Sequence, residues 1–354
     1  MANRIKFSVG YQLIEEGKVF PDIVKNFKES IDEVYFAWLN LPSGRGPIAY
    51  RTGYINWEAQ EQMEYELKEI KKSGIKLNLL LNASCWGGLS LSKSLANTVL
   101  SIIDHLGQKT GIDSITVFSP AIARTIKKNF HEMEIRASVN MRIGTITAME
   151  QLSELFDGFV MQKECNRNFE KIKELKQWCE KNGKKLSMLA NSGCINHCAV
   201  QLFHDNVIAH ETEVLTKNNI ADDIPGSCWS YYGKKENWKN LLINHSWIRP
   251  EDIHFYQDCF ANIKLATRIS PFFEKIIQAY CNEKFDGNLL DILEPSHSNL
   301  IFPHIIDNSK FPEEWFQTLS HCNKDCTNCS FCQQVFQKVL QNKTKKSKWE
   351  KCIE

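Results

Sequence analysis

The chain lacks the sequence signatures of several common enzyme classes. It contains no H-E-x-x-H, no G-x-S-x-G, no P-loop lysine motif and no G-x-G-x-x-G. Each of these patterns carries a specific chemistry, from metalloproteolysis to phosphate binding. Simple proteolysis, kinase chemistry and Rossmann-type dinucleotide binding therefore have no support in the sequence.

Long apolar runs and an excess of one charge are also missing. No stretch reaches the roughly 18 apolar residues that a membrane span needs, and residues 1–4 lead into a strand-like segment without an apolar signal region. The net charge is +1, which gives no global attraction to nucleic acid or membrane, although a local basic groove stays open. We predict a cytoplasmic protein that does not enter a membrane.

What the chain has in quantity is cysteine. There are 13 cysteines in 354 residues, an odd number that full disulfide pairing cannot use. Without export signals, this usage favours reduced thiols that bind metal.

Short apolar runs alternate with helical segments along most of the sequence, which is typical of a parallel α/β sheet. Eight such units predict a TIM-type (β/α)8 barrel, with a doubly wound open sheet as the alternative. The expected strands are 6–10, 33–39, 76–81, 114–119, 135–140, 158–162, 186–190 and 263–266. We assign the barrel to residues 1–290, including a long cysteine-bearing insertion at 191–262, and a small cysteine-rich C-terminal extension to residues 291–354.

Two cysteines with C-x3-C spacing, Cys194 and Cys198, follow the seventh strand, where parallel α/β folds place their chemistry. Cys228 and Cys259 lie in the same insertion. Four thiolates suit zinc or a [4Fe–4S] cluster. We predict a shared site for these four, with His254 and Cys165 as alternatives for the fourth ligand.

A denser cysteine motif follows the barrel, with C-x3-C-x2-C-x2-C spacing. Its members are Cys322, Cys326, Cys329 and Cys332. The first three have the spacing of radical SAM enzymes, but those enzymes usually carry it after the first strand. The run also contains a fourth cysteine, which can bind the fourth iron of a [4Fe–4S] cluster. We therefore predict a second, fully ligated [4Fe–4S] cluster, with a zinc knot as the alternative.

Polar residues stand just beyond several predicted strand ends, where a barrel would bring them to one mouth. We predict catalytic roles for Arg142, Glu164, Asn191 and Arg268. Two arginines would suit an anionic substrate, since guanidinium binds carboxylate or phosphate in a bidentate way. The same mouth is expected to hold Cys85, Asn140 and Arg167.

Several segments together resemble the collagenase-like peptidase family, U-thirty-two. They are LANSGCINHCAVQLFHDN, SCWSYY, WIRPEDIHFYQDCFANIKLATR and FFEKIIQAYCNEKFDGN. The resemblance implies a TIM-type barrel that holds a [4Fe–4S] cluster. Several members modify RNA or ubiquinone precursors by oxygen-independent hydroxylation, with prephenate implicated as oxygen donor.

The resemblance carries over to individual positions with one departure. Cys194 matches the family cysteine that follows the strand, and Cys228 matches a later one. The family cysteine in the following turn is His254 here, which leaves the fourth ligand open. The C-terminal run is an addition to the family pattern.

Two functional hypotheses follow. The first is an iron–sulfur enzyme that performs redox or hydroxylation-type modification of a small-molecule or RNA substrate and draws on an electron donor. The second is a non-catalytic, metal-stabilised subunit of a heterodimer or larger complex; the family label adds peptidase activity as a further alternative.

Overall fold

The computed structural model describes residues 5–14, 19–39, 41–45, 56–210 and 227–343. Within them, eight parallel strands form a closed barrel in chain order. Strand β1 pairs with both β2 and β8, and the second pairing closes the ring. The strands are β1 Phe7–Gly10, β2 Ile31–Ala37, β3 Lys76–Leu81, β4 Ser114–Val117, β5 Glu134–Ala137, β6 Gly158–Val160, β7 Lys185–Leu189 and β8 Asn262–Leu265. The predicted TIM-type barrel is confirmed.

Helices surround the barrel between successive strands. They are α1 Phe20–Lys25, α2 Trp57–Lys72, α3 Lys93–Lys109, α4 Pro120–Asn129, α5 Ile146–Glu150, α6 Phe169–Lys181 and, after β8, α10 Phe273–Cys281. Local sequence sets their starts: the side chains of Ser92 and Asn168 accept the backbone N–H groups of Leu95 and Lys171 at the first turns of α3 and α6. Buried side chains recur every three or four residues on α3 and face the barrel.

A charged pair lies inside the barrel. Glu33 on β2, 1% exposed, contacts Arg136 on β5, with 2.6 Å between Oε2 and Nη1. The hydroxyl of Ser8 donates to the same carboxylate at 2.7 Å. A buried carboxylate is tolerated only when its oxygens are paired in this way, so β1, β2 and β5 are tied together across the barrel axis.

The connection between β7 and β8 is long and carries α7 Gln201–Ala209, α8 Ser227–Tyr232, α9 Asn240–Ile243 and a 3-10 segment, Pro250–Tyr256. Residues 211–226 of the predicted insertion lie outside the described residues. The last part of the connection returns along the outside of the barrel. The amide of Ile248 donates to the carbonyl of Ala190 near the carboxyl end of β7, and the amide of Ala261 donates to that of Leu186 near its start.

The C-terminal extension packs onto this return segment. It contains α11 Ser298–Ile301, β9 His304–Ile306, α12 Trp315–Ser320, α13 Phe331–Val339 and β10 Leu340–Asn342, with β9 and β10 antiparallel. The ring of Trp315 stacks on that of Trp247 at a centroid distance of 6.0 Å. Trp315, Leu319, Val335 and Val339 are buried in the same hydrophobic cluster as the barrel residues. The helices of the extension therefore share the core of the barrel.

No helix among the described residues is long and apolar enough to cross a membrane.

Candidate metal centre

A cavity of about 270 Å³ lies at the carboxyl ends of the strands, the end at which barrel enzymes place their active sites. Its walls come from the loops after β2, β5, β6 and β7, from α7 and α8, and from the start of the C-terminal extension. Its polar and sulfur-bearing lining residues are Arg45, Asn140, Arg142, Lys163, Glu164, Ser192, Cys194, Cys198, Gln201, His204, Asp205, Cys228 and His297.

Three of the four predicted barrel ligands line this cavity: Cys194, Cys198 and Cys228. Cys194 is held in place by the turn before it, because the amide of Gly193 donates to the carbonyl of Glu294 at 2.9 Å. A Cβ at position 193 would stand 2.1 Å from the carbonyl oxygen of Pro295, so only glycine fits there. Burial raises the pKa of Cys228, and the neighbouring Cys194 and Cys198 thiols raise it further.

Soft sulfur donors of this kind fit zinc or an iron–sulfur cluster. In the described part of the chain, no group of three or more His, Cys, Asp or Glu side chains is drawn together tightly enough to hold one metal ion. The three cavity thiols supply the donor chemistry of such a site.

The predicted fourth ligand, Cys259, lies at the other end of the barrel and does not line the cavity. It follows the return segment, two residues before Ala261, which bonds to the start of β7. The sequence places Cys259 in the same insertion as Cys194, but the chain reverses direction between them. The structure thus corrects the assignment of Cys259 to the barrel site.

The two alternatives for the fourth ligand do not line the cavity either. His254 is exposed on the return segment, where its ring packs against Phe255 at a centroid distance of 4.0 Å. Cys165 is buried beside Glu164, and the side-chain amide of Gln162 donates to its sulfur at 3.6 Å. Burial raises the pKa of the Cys165 thiol.

The four C-terminal cysteines form a second group, in the loop between α12 and α13. Cys322, Cys326 and Cys329 are exposed and Cys332 is half-buried. Burial raises the pKa of Cys332 to about 11, and the other three thiols contribute to that rise. The loop touches the cavity wall, since the Lys324 ammonium donates to the carbonyl of Glu164 at 3.3 Å.

Of the predicted mouth residues, Asn140, Arg142 and Glu164 line the cavity. Arg142 has a left-handed backbone, φ 55°, and its Nη2 lies 3.6 Å from Oδ2 of Asp205. Its buried Nε and Nη2 atoms have no hydrogen-bond partner. Burial raises the pKa of Glu164, but Lys163 at 2.8 Å and the amide of His197 outweigh it and lower the pKa below its usual range.

The other two predicted catalytic residues are buried and do not line the cavity. Asn191 bonds to the N–H and C=O of Ala266 and donates to the carbonyl of Ile292, so it joins the ends of β7 and β8 to the extension. Arg268 is 7% exposed, and burial lowers its pKa to about 10, with Arg45 adding to the effect and Tyr35 and Glu294 opposing it. Their catalytic roles stay predictions, and neither side chain belongs to the cavity wall.

Cys85 and Arg167 also lie outside the cavity wall. The sulfur of Cys85 accepts the amide of Gly87 at 3.4 Å in the loop after β3. The Arg167 guanidinium lies over the ring of Trp247, 4.6 Å from its centroid, and donates to the carbonyl of Trp247. Arg167 therefore fastens the return segment to the barrel.

Sequence reasoning missed Arg45 and His297, both in the cavity wall. Arg45 follows β2, and its Nε lies 3.1 Å from Oε1 of the buried Glu294. Burial raises the pKa of Cys194, whereas Arg45 and Lys163 act to lower it. The glycine-flanked loop 43–46 marked Arg45 in the sequence, but Glu294 and His297 enter from beyond the barrel, where no strand-end pattern points to them.

Comparison with known proteins supports the same fold. No protein-family model matches the chain. An uncharacterized protease of Methanocaldococcus jannaschii is 26% identical over 345 residues, which cover 94% of this chain and 95% of that protein. A solved U32 peptidase structure has a TM-score of 0.50 at 15% identity and covers 75% of this chain and 93% of its own. A mannanase from Thermotoga petrophila covers 58% of this chain and 65% of its own, at 12% identity and a TM-score of 0.39.

Proposed function

We propose that the chain is a divergent member of the U-thirty-two peptidase family, as its similarity to the Methanocaldococcus jannaschii protein and to the U32 peptidase structure supports, and that it is an iron–sulfur enzyme that modifies an anionic substrate at the barrel mouth. The proposed reaction is a redox or oxygen-independent hydroxylation-type modification. The substrate is a small anion or an anionic group of RNA.

One observation carries the proposal: three cysteines and a guanidinium with unpaired donors line the same cavity. Cys194, Cys198 and Cys228 lie together with Arg142 around a space of about 270 Å³. Thiolates are the usual ligands of an iron–sulfur cluster, and such a cluster supplies one-electron redox chemistry when it is bound. Catalytic metal sites keep a position open to substrate, and a site beside the cavity would give substrate that access.

The residues around the thiols would then bind and orient the substrate. Arg142 presents two buried N–H groups without partners, and unpaired buried donors are costly unless an acceptor arrives. Its nearest carboxylate, Asp205, is 3.6 Å away, which leaves the guanidinium free to form a shorter, charge-assisted pair with an anion.

The ion pairs of the wall hold this arrangement rigid. Glu164 is bonded to Lys163, whose ammonium also donates to the carbonyl of Ile195 at 2.9 Å, one residue after Cys194. Arg45 is bonded to Glu294 on the opposite side. Because both cations are already paired, Arg142 is the residue that we assign to substrate binding.

The C-terminal cysteines would bind a second cluster or a zinc ion. Their loop contacts the cavity wall at Glu164 through Lys324. A cluster at this position would lie between the exposed surface and the cavity, where it could pass electrons from an external donor. Zinc at the same four thiols would only stabilise the loop and would carry no electrons.

The test is the metal content of the full chain purified without oxygen. We expect brown protein with iron and acid-labile sulfide in equal amounts, at about four iron atoms for each cluster. Colourless protein with stoichiometric zinc and no iron would overturn the proposal.

Peptidase activity is a second candidate because the similar Methanocaldococcus jannaschii protein is named a protease. Incubation of the purified protein with a denatured collagen or casein substrate tests it directly. Hydrolysis that survives complete removal of iron, and that is lost in Cys194→Ala, would favour the peptidase over the redox enzyme.

A further inference from the structure

If the cavity site has a fourth protein donor, that donor is among the lining residues, because Cys259, His254 and Cys165 lie elsewhere. His297 lines the cavity together with the three cysteines. It comes from the C-terminal extension, next to α11, and it is 2% exposed. Its position beyond the eighth strand explains why the barrel pattern does not reveal it.

The hydrogen bonding of His297 leaves one ring nitrogen free. Nε2 lies 3.0 Å from the carbonyl oxygen of Gly193. A carbonyl only accepts, so Nε2 carries the proton and Nδ1 has the lone pair. Nδ1 is buried without a hydrogen-bond partner. Histidines that bind metals commonly donate their other N–H to a backbone carbonyl, which fixes the tautomer and the ring orientation.

The neighbours of His297 are also those of the cysteines. Its ring lies 5.2 Å from that of Tyr232, centroid to centroid, and Tyr232 is on the same short helix as Cys228. The carbonyl that accepts from Nε2 belongs to Gly193, the residue before Cys194. His297 is thus bonded to the backbone that carries one thiol and packed beside the helix that carries another.

The remaining titratable lining residues are weaker candidates. Asp205 offers an oxygen rather than a soft donor and lies 3.6 Å from the Arg142 guanidinium, and Lys163 and Glu164 are paired with each other. His204 is exposed on α7. His245 also has a buried Nδ1 without a partner, but its Nε2 is bonded to the hydroxyl of Tyr232 at 2.7 Å and it is not among the residues of the cavity wall.

From these contacts we propose that Nδ1 of His297 is the fourth ligand of the cavity site, which makes it a three-cysteine, one-histidine centre. This rests on the proposed function, since it assumes that Cys194, Cys198 and Cys228 hold a cluster. A neutral nitrogen in place of a fourth thiolate lowers the negative charge of the centre. Replacement of thiolate by histidine raises the reduction potential of iron–sulfur centres.

The experiment compares the anaerobically purified wild type with His297→Ala, His297→Cys and the matched control His245→Ala. Iron and sulfide are counted, and the reduced cluster is examined by pulsed electron paramagnetic resonance for a strongly coupled nitrogen. We expect the wild type to show this nitrogen and His245→Ala to keep it. His297→Ala should lose about four iron atoms, and His297→Cys should keep the iron, lose the nitrogen signal and show a lower midpoint potential.

The two ways to fail are distinguishable. If the wild type contains a cluster and His297→Ala retains its iron count and nitrogen coupling, the histidine assignment is wrong while the iron–sulfur enzyme stands. If the wild type contains no iron, the proposed function fails first. Circular dichroism of each variant shows whether the loss of iron comes from the loss of a ligand or from unfolding. Retained iron in His297→Cys would likewise show that a substitution at this position leaves the fold intact.

Discussion

The two cysteine groups of this protein are built in opposite ways. Cys194, Cys198 and Cys228 are far from the C-terminal run in sequence, and they come together only because a long connection folds over the barrel mouth. The C-terminal four lie within residues 322–332 on one loop, mostly exposed. A site assembled by tertiary structure can include a cavity and residues from several loops, whereas a local site mainly orders its own loop. Chemistry is therefore expected at the first group and relay or fastening at the second.

The largest effect is expected when one cavity thiol is removed. Cys194→Ala should lose about four iron atoms per chain and leave the metal of the C-terminal run in place, because the two groups lie on separate elements. Cys259→Ala is the matched control, since that half-buried cysteine lies at the other end of the barrel. Metal analysis of the two variants checks this. Equal loss of iron in both would return Cys259 to the site.

The converse variant is Cys326→Ser in the exposed loop. We expect loss of the C-terminal metal alone and faster amide exchange in residues 321–332, because metal binding supplies the ordering of a loop with few buried side chains. Far-ultraviolet circular dichroism should stay unchanged, since α12 and α13 are packed into the core of the barrel by Trp315 and Val339. Unfolding of those helices would show instead that the metal holds the whole extension.

The two predicted arginines allow ligand binding at the mouth to be separated from stabilisation of the fold. Arg142→Ala should weaken the binding of a small dicarboxylate such as malonate about tenfold or more, which is the value of a charge-assisted hydrogen bond. Arg268→Ala should leave that binding unchanged and lower the free energy of unfolding, because its side chain is buried and does not line the cavity. Calorimetric titration and chemical denaturation measure the two quantities. A loss of malonate binding in Arg268→Ala alone would reverse the assignment.

The smallest expected effect concerns Glu164, whose side chain lines the cavity and whose carbonyl accepts from Lys324. Its pKa is lowered in the folded protein. The ionised carboxylate therefore stabilises the fold above the ordinary glutamate pKa, and the stabilisation is lost as the pH falls through the folded value. Glu164→Gln should reduce the free energy of unfolding at pH 7 by about 1 kcal/mol and flatten its decline in acid. Identical acid slopes for wild type and variant would contradict this.

The barrel could be predicted from the sequence because its signal is local and repeated. Each strand is a short apolar run before a helix, and β3 was predicted with both its ends. Cys194 and Cys198 were predicted to belong to the mouth for the same reason, since they directly follow a strand.

The errors arose where the chain leaves this pattern. Cys259 was misplaced because the return segment crosses the length of the barrel, a reversal that leaves no periodic trace. Arg268 and Asn191 do stand just beyond strand ends, but position along a strand does not tell whether a side chain enters the cavity, and neither one lines it. His297 and Glu294 were missed because they come from a segment that follows the last strand.

The origin of those two residues has a consequence for biosynthesis. The ribosome makes the eight strands before it makes Glu294, Pro295 and His297, and the close contact of Gly193 with the carbonyl of Pro295 cannot form until that segment emerges. A nascent barrel that has just closed therefore exposes Cys194 beside an incomplete wall. A cluster delivered during translation would meet three thiols open to solvent, whereas one delivered after release would meet a finished chamber. The complete wall around Cys194 is thus expected to form only after the extension has been synthesised.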